Sequence, residues 1–116
     1  MEFIDNTLIE DFSNDGAVLC KGIFLDWINP LRIGIDKLIQ NPSVRERSYT
    51  PKDGTASFFQ DLVNWDRIPE FKDFIFKSNI GFYAAKLMKS KKSRFFHDHV
   101  LVKEPGSSIV TPWHQD

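Results

Sequence analysis

The sequence FFHDHVLVKEPGSSIVTPWHQD, residues 95–116, decides the fold of this chain. Its first part, residues 95–103, is rich in aromatic and β-branched residues and stops before a Pro-Gly break, which predicts a strand. Alternate side chains of a strand share a face. The side chains predicted on one face are those of Phe95, His97, His99, Leu101 and Lys103. Two imidazoles and an ammonium group are unusual in a core, so we expect this face to line a polar cavity.

The end of the same sequence places a histidine and a carboxylate two positions apart. If this segment is extended, His114 and Asp116 point the same way and can bind one metal ion through adjacent coordination positions. Together with a distant histidine they form the two-His-one-carboxylate triad of non-haem Fe(II) oxygenases. The pair alone is a weak signal, because short motifs of this kind also occur by chance in surface turns.

The longer pattern is more specific. The sequences DHVLVKEPG (residues 98–106) and TPWHQD (residues 111–116) together resemble the phytanoyl-CoA dioxygenase family of Fe(II)- and 2-oxoglutarate-dependent oxygenases. The resemblance is strongest over residues 95–116 and continues more loosely through residues 15–18 and 58–88. It therefore implies hydroxylation of a small organic molecule with Fe(II), 2-oxoglutarate and O₂. The family's substrates are chemically diverse, so the resemblance does not identify the substrate.

The resemblance also implies a role for each matching residue. The implied iron ligands are His114 and Asp116, the implied contacts of 2-oxoglutarate are Lys103 and His99, and the residues implied near substrate are His97 and Trp113. The family has two further site residues downstream, an iron-binding histidine and an arginine that pairs with 2-oxoglutarate. Neither is present in this sequence, which stops at Asp116. We therefore expect residues 1–116 to be one partial domain of a longer oxygenase, with weak or no activity alone.

The predicted fold class is α+β. Helical patterns come first and strand patterns dominate the end, which the residues themselves support. The resemblance refines this expectation to N-terminal helices plus the first strands of an incomplete double-stranded β-helix, a jelly-roll, cupin-like architecture.

Two other interpretations remain open. His97, His99 and Glu104 have a His-x-His-x₄-Glu spacing that mimics a cupin metal site, although Glu104 lies in a break and Lys91 replaces the expected leading glycine. The chain could also be a non-catalytic scaffold module. Loss of metal binding with His114 favours the oxygenase, loss with His97 favours the cupin, and the absence of metal binding favours the scaffold.

Composition indicates one globular domain rather than a disordered segment. The chain has 116 residues, 41% of them apolar and 27% charged, and a net charge of −1. This balance gives no indication of a nucleic-acid or anionic-membrane partner. Cys20 is the one cysteine, no apolar run is long enough to span a bilayer, and the acidic start lacks the pattern of a signal peptide. These features predict a cytoplasmic protein.

Hydrophobic periodicity predicts the other elements. A short helix is expected over residues 8–12 and a buried strand over residues 17–20. Helices are expected from about residue 28 to 39, where Asn41-Pro42 stops the pattern, from 69 to 77, and from 80 to 88. Asp26 is a candidate N-cap of the second helix, and Gly34 within it indicates close packing.

Two polar segments each allow a structural and a functional interpretation. Residues 43–57, with the turn sequence PKDG, predict an exposed loop, or a lid in which Arg45, Arg47 or Tyr49 reaches the pocket. The basic residues at 86–94 predict a solvated helix end, where cations oppose the helix dipole, or else an anion site.

Overall fold

Four helices and a two-stranded sheet make up the part of the chain that the computed structural model describes, residues 3–115. The helices are α1 (Asn6–Asp15), α2 (Ile28–Gln40), α3 (Pro69–Lys77) and α4 (Ile80–Leu87), and the strands are β1 (Phe58–Leu62) and β2 (His99–Lys103). This arrangement confirms the α+β prediction. No helix within residues 3–115 is long and apolar enough to cross a membrane.

Helix α1 is longer than predicted because both of its ends are capped. The Asp5 carboxylate accepts a hydrogen bond from the Leu8 N–H at 2.9 Å, and Gly16 ends the helix in the left-handed region, with φ 75°. The predicted strand over residues 17–20 is wrong. Val18 and Cys20 are half-buried as the alternation suggests, but residues 17–20 are not in strand conformation, and the described sheet consists of β1 and β2.

Helix α2 matches its prediction, and its glycine explains how it packs. Asp26 is not the N-cap; it lies in a short 3-10 turn, and Trp27 holds the cap position. Gly34 is buried against α3, where an added Cβ would lie 2.7 Å from Cε1 of Phe71. The missing side chain therefore lets the two helices approach closely.

The core lies where α2 and α3 meet one face of the sheet. Leu38, Ile68 and Phe71 are buried there, and the half-buried residues packed around them are Leu31, Ile35, Phe59, Trp65 and Val100. Lys37 and Glu70 form an ion pair between α2 and α3. The pKa of Glu70 is lowered, first because Lys37 donates a hydrogen bond to its carboxylate.

The two strands are antiparallel, and their register fixes which residues share a face. Phe58 lies opposite Lys103, Gln60 opposite Leu101, and Leu62 opposite His99. The intervening pairs, Phe59 with Val102 and Asp61 with Val100, have side chains on the helical side. The alternation predicted for residues 99–103 is confirmed, since His99, Leu101 and Lys103 are exposed while Val100 and Val102 are half-buried.

Strand β2 begins four residues later than predicted because Asp98 caps a turn. Its carboxylate accepts the N–H groups of Asn64 and Trp65 at 2.8 to 3.0 Å, and its carbonyl accepts the N–H of Val63 at 3.0 Å. Val63 has φ 57°, a left-handed conformation that β-branched residues rarely adopt. Asp98 therefore holds the turn after β1, and residues 95–98 leave the strand geometry.

Candidate functional site

The two faces of the sheet have opposite environments. Helices α2 and α3 cover the face that carries Phe59 and Val100. The other face, which we call the open face, carries Phe58, Gln60, Leu62, His99, Leu101 and Lys103. The polar groups predicted for β2 therefore lie on the side of the sheet away from the core.

Lys103 is held over the open face by two contacts. Its Nζ lies 4.9 Å from the centroid of the Phe58 ring and donates a hydrogen bond to Oγ1 of Thr111 at 3.1 Å. The ring attracts the ammonium group through its quadrupole. Lys103 thus links the sheet to the segment that leads to His114.

A cavity of about 770 Å³ lies beside this contact. Its floor includes Phe58 and Gln60, and its far side is formed by residues 108–112 together with His114. The wall opposite that segment comes from Tyr49, Pro51, Lys52 and Asp53 in the loop before β1. A volume of this size is typical of pockets that hold small organic ligands.

The ring of His114 contacts its own backbone segment. Its Nδ1 lies 2.8 Å from the carbonyl oxygen of Pro112. A carbonyl can only accept, so Nδ1 carries the hydrogen in this contact. In the neutral ring the lone pair is then on Nε2. A neutral histidine binds a metal ion through such a lone pair.

Hydrogen bonds fasten the two walls of the cavity to each other. The N–H of Ser108 donates to Oγ1 of Thr55 at 3.1 Å, and the two hydroxyl oxygens are 2.9 Å apart. Thr55 also donates its N–H to the Asp53 carboxylate at 3.0 Å. The Ser108 hydroxyl and these Thr55 groups lower the pKa of Asp53. The loop therefore presents an ionised carboxylate at the rim.

Of the three loop residues named from the sequence, Tyr49 lies at the cavity. Its backbone pairs with Phe58, and it is one of the lining residues, while a role of the loop as a lid stays a prediction. Arg45 does not line it but donates to the carbonyls of Leu62 and Val63, and Arg47 bonds to carbonyls of its own loop. Both arginines therefore hold the end of β1 and the loop.

The other predicted site residues are more dispersed. His99 lines a separate apolar groove of about 350 Å³ between β2 and the helices, alongside Leu101 and Phe71. His97 is exposed, with its ring 4.6 Å from that of Phe96, and Trp113 is fully exposed. Asp116 lies outside the described residues. The structure brings together Lys103, Thr111 and the cavity that His114 lines.

The cupin alternative lacks its ligand cluster. Within residues 3–115, no group of three His, Cys, Asp or Glu side chains is close enough to hold a metal ion. His97, His99 and Glu104 all belong to this range, so they do not form a three-ligand site. Asp98, which separates His97 from His99, caps the tight turn that follows β1.

The sequence does not predict those cavity residues whose position depends on long-range pairing. Gln60 reaches the cavity because β1 pairs with β2, and Ser108 because it bonds to Thr55, 53 residues away. Thr111 belongs to the TPWHQD sequence, but that sequence gave no role for it.

Comparison of the chain with family models, curated proteins and solved structures gave no match.

Proposed function

We propose that this chain carries part of the active site of an Fe(II)- and 2-oxoglutarate-dependent dioxygenase that hydroxylates a small organic molecule. The proposal rests on the resemblance of residues 98–116 and on one observation. Lys103 projects from the open face and contacts Thr111 at 3.1 Å, beside a cavity that His114 lines. A sheet covered by helices on one face and open on the other is also what the outer layer of a jelly roll requires.

The side chains that are described fit this role in part. The Nδ1–H of His114, which bonds to Pro112, orients Nε2 as a metal ligand. Asp116 would supply the carboxylate ligand. The triad needs one more histidine ligand besides this pair. When bound, Fe(II) and 2-oxoglutarate supply the oxidising chemistry.

The remaining groups of the chain position the reactants. Lys103 offers a positive charge to a carboxylate of 2-oxoglutarate, and Thr111 holds the ammonium group in place. Phe58 and Pro51 supply part of the apolar lining of the cavity. Roles for His99 at the cosubstrate, and for His97 and Trp113 at the substrate, stay predictions.

The proposal can be tested on this chain by paramagnetic line broadening. Trace Mn(II) replaces Fe(II) at oxygen and nitrogen ligands and broadens NMR signals of nearby nuclei. We expect selective broadening of the amides of residues 111 and 113–115 in the ¹⁵N-labelled chain, strengthened by 2-oxoglutarate. His114→Ala should remove the broadening, and Lys103→Ala should remove only the part that depends on 2-oxoglutarate.

His97→Ala is the matched control, because it deletes an exposed imidazole outside the cavity. It should leave the broadening unchanged. Broadening centred on residues 97–104 and lost with His97→Ala would support a cupin-type site instead. If Mn(II) broadens no segment selectively in the folded chain, a non-catalytic scaffold is favoured and the oxygenase proposal fails.

A further inference from the structure

Residues 80–97 carry a concentrated positive charge that the net charge conceals. This segment has five basic residues and no acidic one, whereas the rest of the chain has 10 basic and 16 acidic residues. The charge is therefore +5 over these 18 residues and −6 over the other 98. Such segregation creates a local field that an average over the chain does not reveal.

Helix termination does not explain most of these cations. Helix α4 is closed by its own backbone, because the N–H of Ser90 donates to the carbonyl of Ala85 at 2.9 Å and Lys89 takes a left-handed conformation. The helix dipole acts within the last turn, where Lys86 lies. The cations beyond the helix are Lys89, Lys91, Lys92 and Arg94, all of them exposed.

Exposed apolar side chains adjoin these cations. The segment after α4 folds back on the helix, since Oγ of Ser93 donates to the carbonyl of Gly81 at 2.6 Å. Phe96 is 89% exposed, and Met88 is more than half exposed. Phe96 and Met88 flank a shallow, mainly apolar groove of about 260 Å³. Apolar patches with a charged rim mark interaction surfaces.

We propose that this surface binds the headgroup region of an anionic phospholipid bilayer. We call it the basic–aromatic surface, and its residues are Met88, Lys89, Lys91, Lys92, Arg94 and Phe96. Lysine and arginine attract anionic headgroups, while exposed aromatic and aliphatic side chains insert at the boundary with the acyl chains. The net charge of the whole chain gave no indication of an anionic-membrane partner, because it averages the basic segment with the acidic remainder.

The shape of the surface favours a bilayer over a folded acidic partner or a nucleic acid. Phe96 projects outward, and a protein partner must offer a matching pocket for such a ring, whereas a fluid bilayer accepts it without one. Single-stranded nucleic acid is bound by successive stacking rings along a basic groove. Here the groove is mainly apolar: Arg94 lines it, whereas Lys89, Lys91 and Lys92 do not.

Co-sedimentation of the chain with vesicles tests the proposal. We expect binding to phosphatidylcholine vesicles that contain about one-third phosphatidylserine and none to pure phosphatidylcholine. Raising the salt to about 0.5 M should weaken binding roughly tenfold, because exposed charges are screened. Lys91→Glu with Lys92→Glu should weaken binding at least roughly tenfold, and Phe96→Ala roughly threefold to fivefold.

A variant of equal net charge separates location from total charge. Lys21→Glu with Lys72→Glu changes two exposed lysines outside residues 80–97 and should keep nearly wild-type binding. Circular dichroism checks that each variant is folded. Equal loss in this control, equal binding to neutral vesicles, or an unchanged affinity of the Lys91/Lys92 variant overturns the proposal. So does binding of polyglutamate or single-stranded RNA without any binding to vesicles.

Discussion

The helical face and the open face of the sheet contain different kinds of residue. On the helical face, Leu38, Ile68 and Phe71 are buried and two helices approach at a glycine. On the open face, His99, Leu101 and Lys103 are exposed, and Phe58 and Gln60 line a cavity. Apolar burial, which dominates folding free energy, is therefore concentrated on one side. Groups suited to binding anions or metals lie on the other.

This difference predicts that the two faces respond oppositely to substitution. Changes on the helical face should alter the free energy of unfolding and affect ligand binding only through folding. Changes on the open face should leave the free energy of unfolding nearly unchanged while altering binding. The predictions that follow test this separation, beginning with the largest effect.

Leu38→Ala should be the most destabilising of the four substitutions. Leu38 is 0% exposed and packs from α2 against α3 and the sheet. Truncation therefore leaves a cavity that its neighbours fill only partly. We expect a loss of about 3 kcal/mol in the free energy of unfolding. Urea denaturation followed by circular dichroism measures it. Leu19→Ala, at a residue that is 72% exposed, is the control and should cost less than about 0.5 kcal/mol.

Gly34→Ala tests the close approach of α2 and α3. The new Cβ would lie 2.7 Å from Cε1 of Phe71 and 3.1 Å from Cβ of Glu70, so the helices must separate. Overpacking should outweigh the better helix propensity of alanine, for a net loss of about 1–2 kcal/mol. Gly81→Ala is the control, since its Cβ would meet only Oγ of Ser93 at 3.2 Å. Equal stability of the Gly34 and Gly81 variants would show that the helix contact is not tight.

How much of this packing the sequence predicts depends on the range of the interaction. The apolar spacing of Leu31, Ile35 and Leu38 predicts α2, because a helix pattern is local. The strand boundary at Asp98 could not be predicted, since it depends on Asn64 and Trp65, 34 and 33 residues away. Residues 17–20 show the converse, with a strand-like pattern that finds no partner in the described sheet.

In the candidate site, too, the sequence predicts the local features and not those that depend on long-range contacts. Alternation alone predicts that Lys103 and His99 share a face of the strand, which the structure confirms. It does not predict that Lys103 contacts Thr111, a lining residue of the cavity, while His99 lines a different groove, because that depends on where Thr111 and α3 lie. The roles of these residues in binding iron or 2-oxoglutarate stay predictions.

Asp61→Asn should have an intermediate effect that depends on pH. Asp61 is buried, which raises its pKa, but hydrogen bonds from Ser43, Asn64 and Leu62 outweigh burial and lower it. A lowered pKa in the folded state stabilises the fold above the unfolded value, about 3.9, and this stabilisation is lost as pH falls through the folded pKa. At neutral pH we expect a loss of roughly 1–3 kcal/mol, because an amide cannot accept all these hydrogen bonds.

The measurement is urea denaturation of wild type and variant from neutral pH to about pH 2. The difference between the two proteins should shrink as Asp61 becomes protonated in the wild type. Asp53 and Glu70 also have lowered pKa values, so acid should still destabilise the variant. A difference that stays constant across this pH range would mean that the ionised carboxylate contributes nothing.

Lys103→Met should have the smallest effect on stability and the clearest effect on binding. The side chain is exposed, and its contacts with the Phe58 ring and Thr111 together stabilise the fold by about 0.5–1 kcal/mol. Methionine keeps the length of the side chain and removes the charge. Calorimetric titration with Mn(II) and 2-oxoglutarate should show that binding of the dicarboxylate is lost while binding of Mn(II) remains. A variant that loses more than about 2 kcal/mol of stability would contradict the proposed separation between the faces, because only buried or cap positions cost that much.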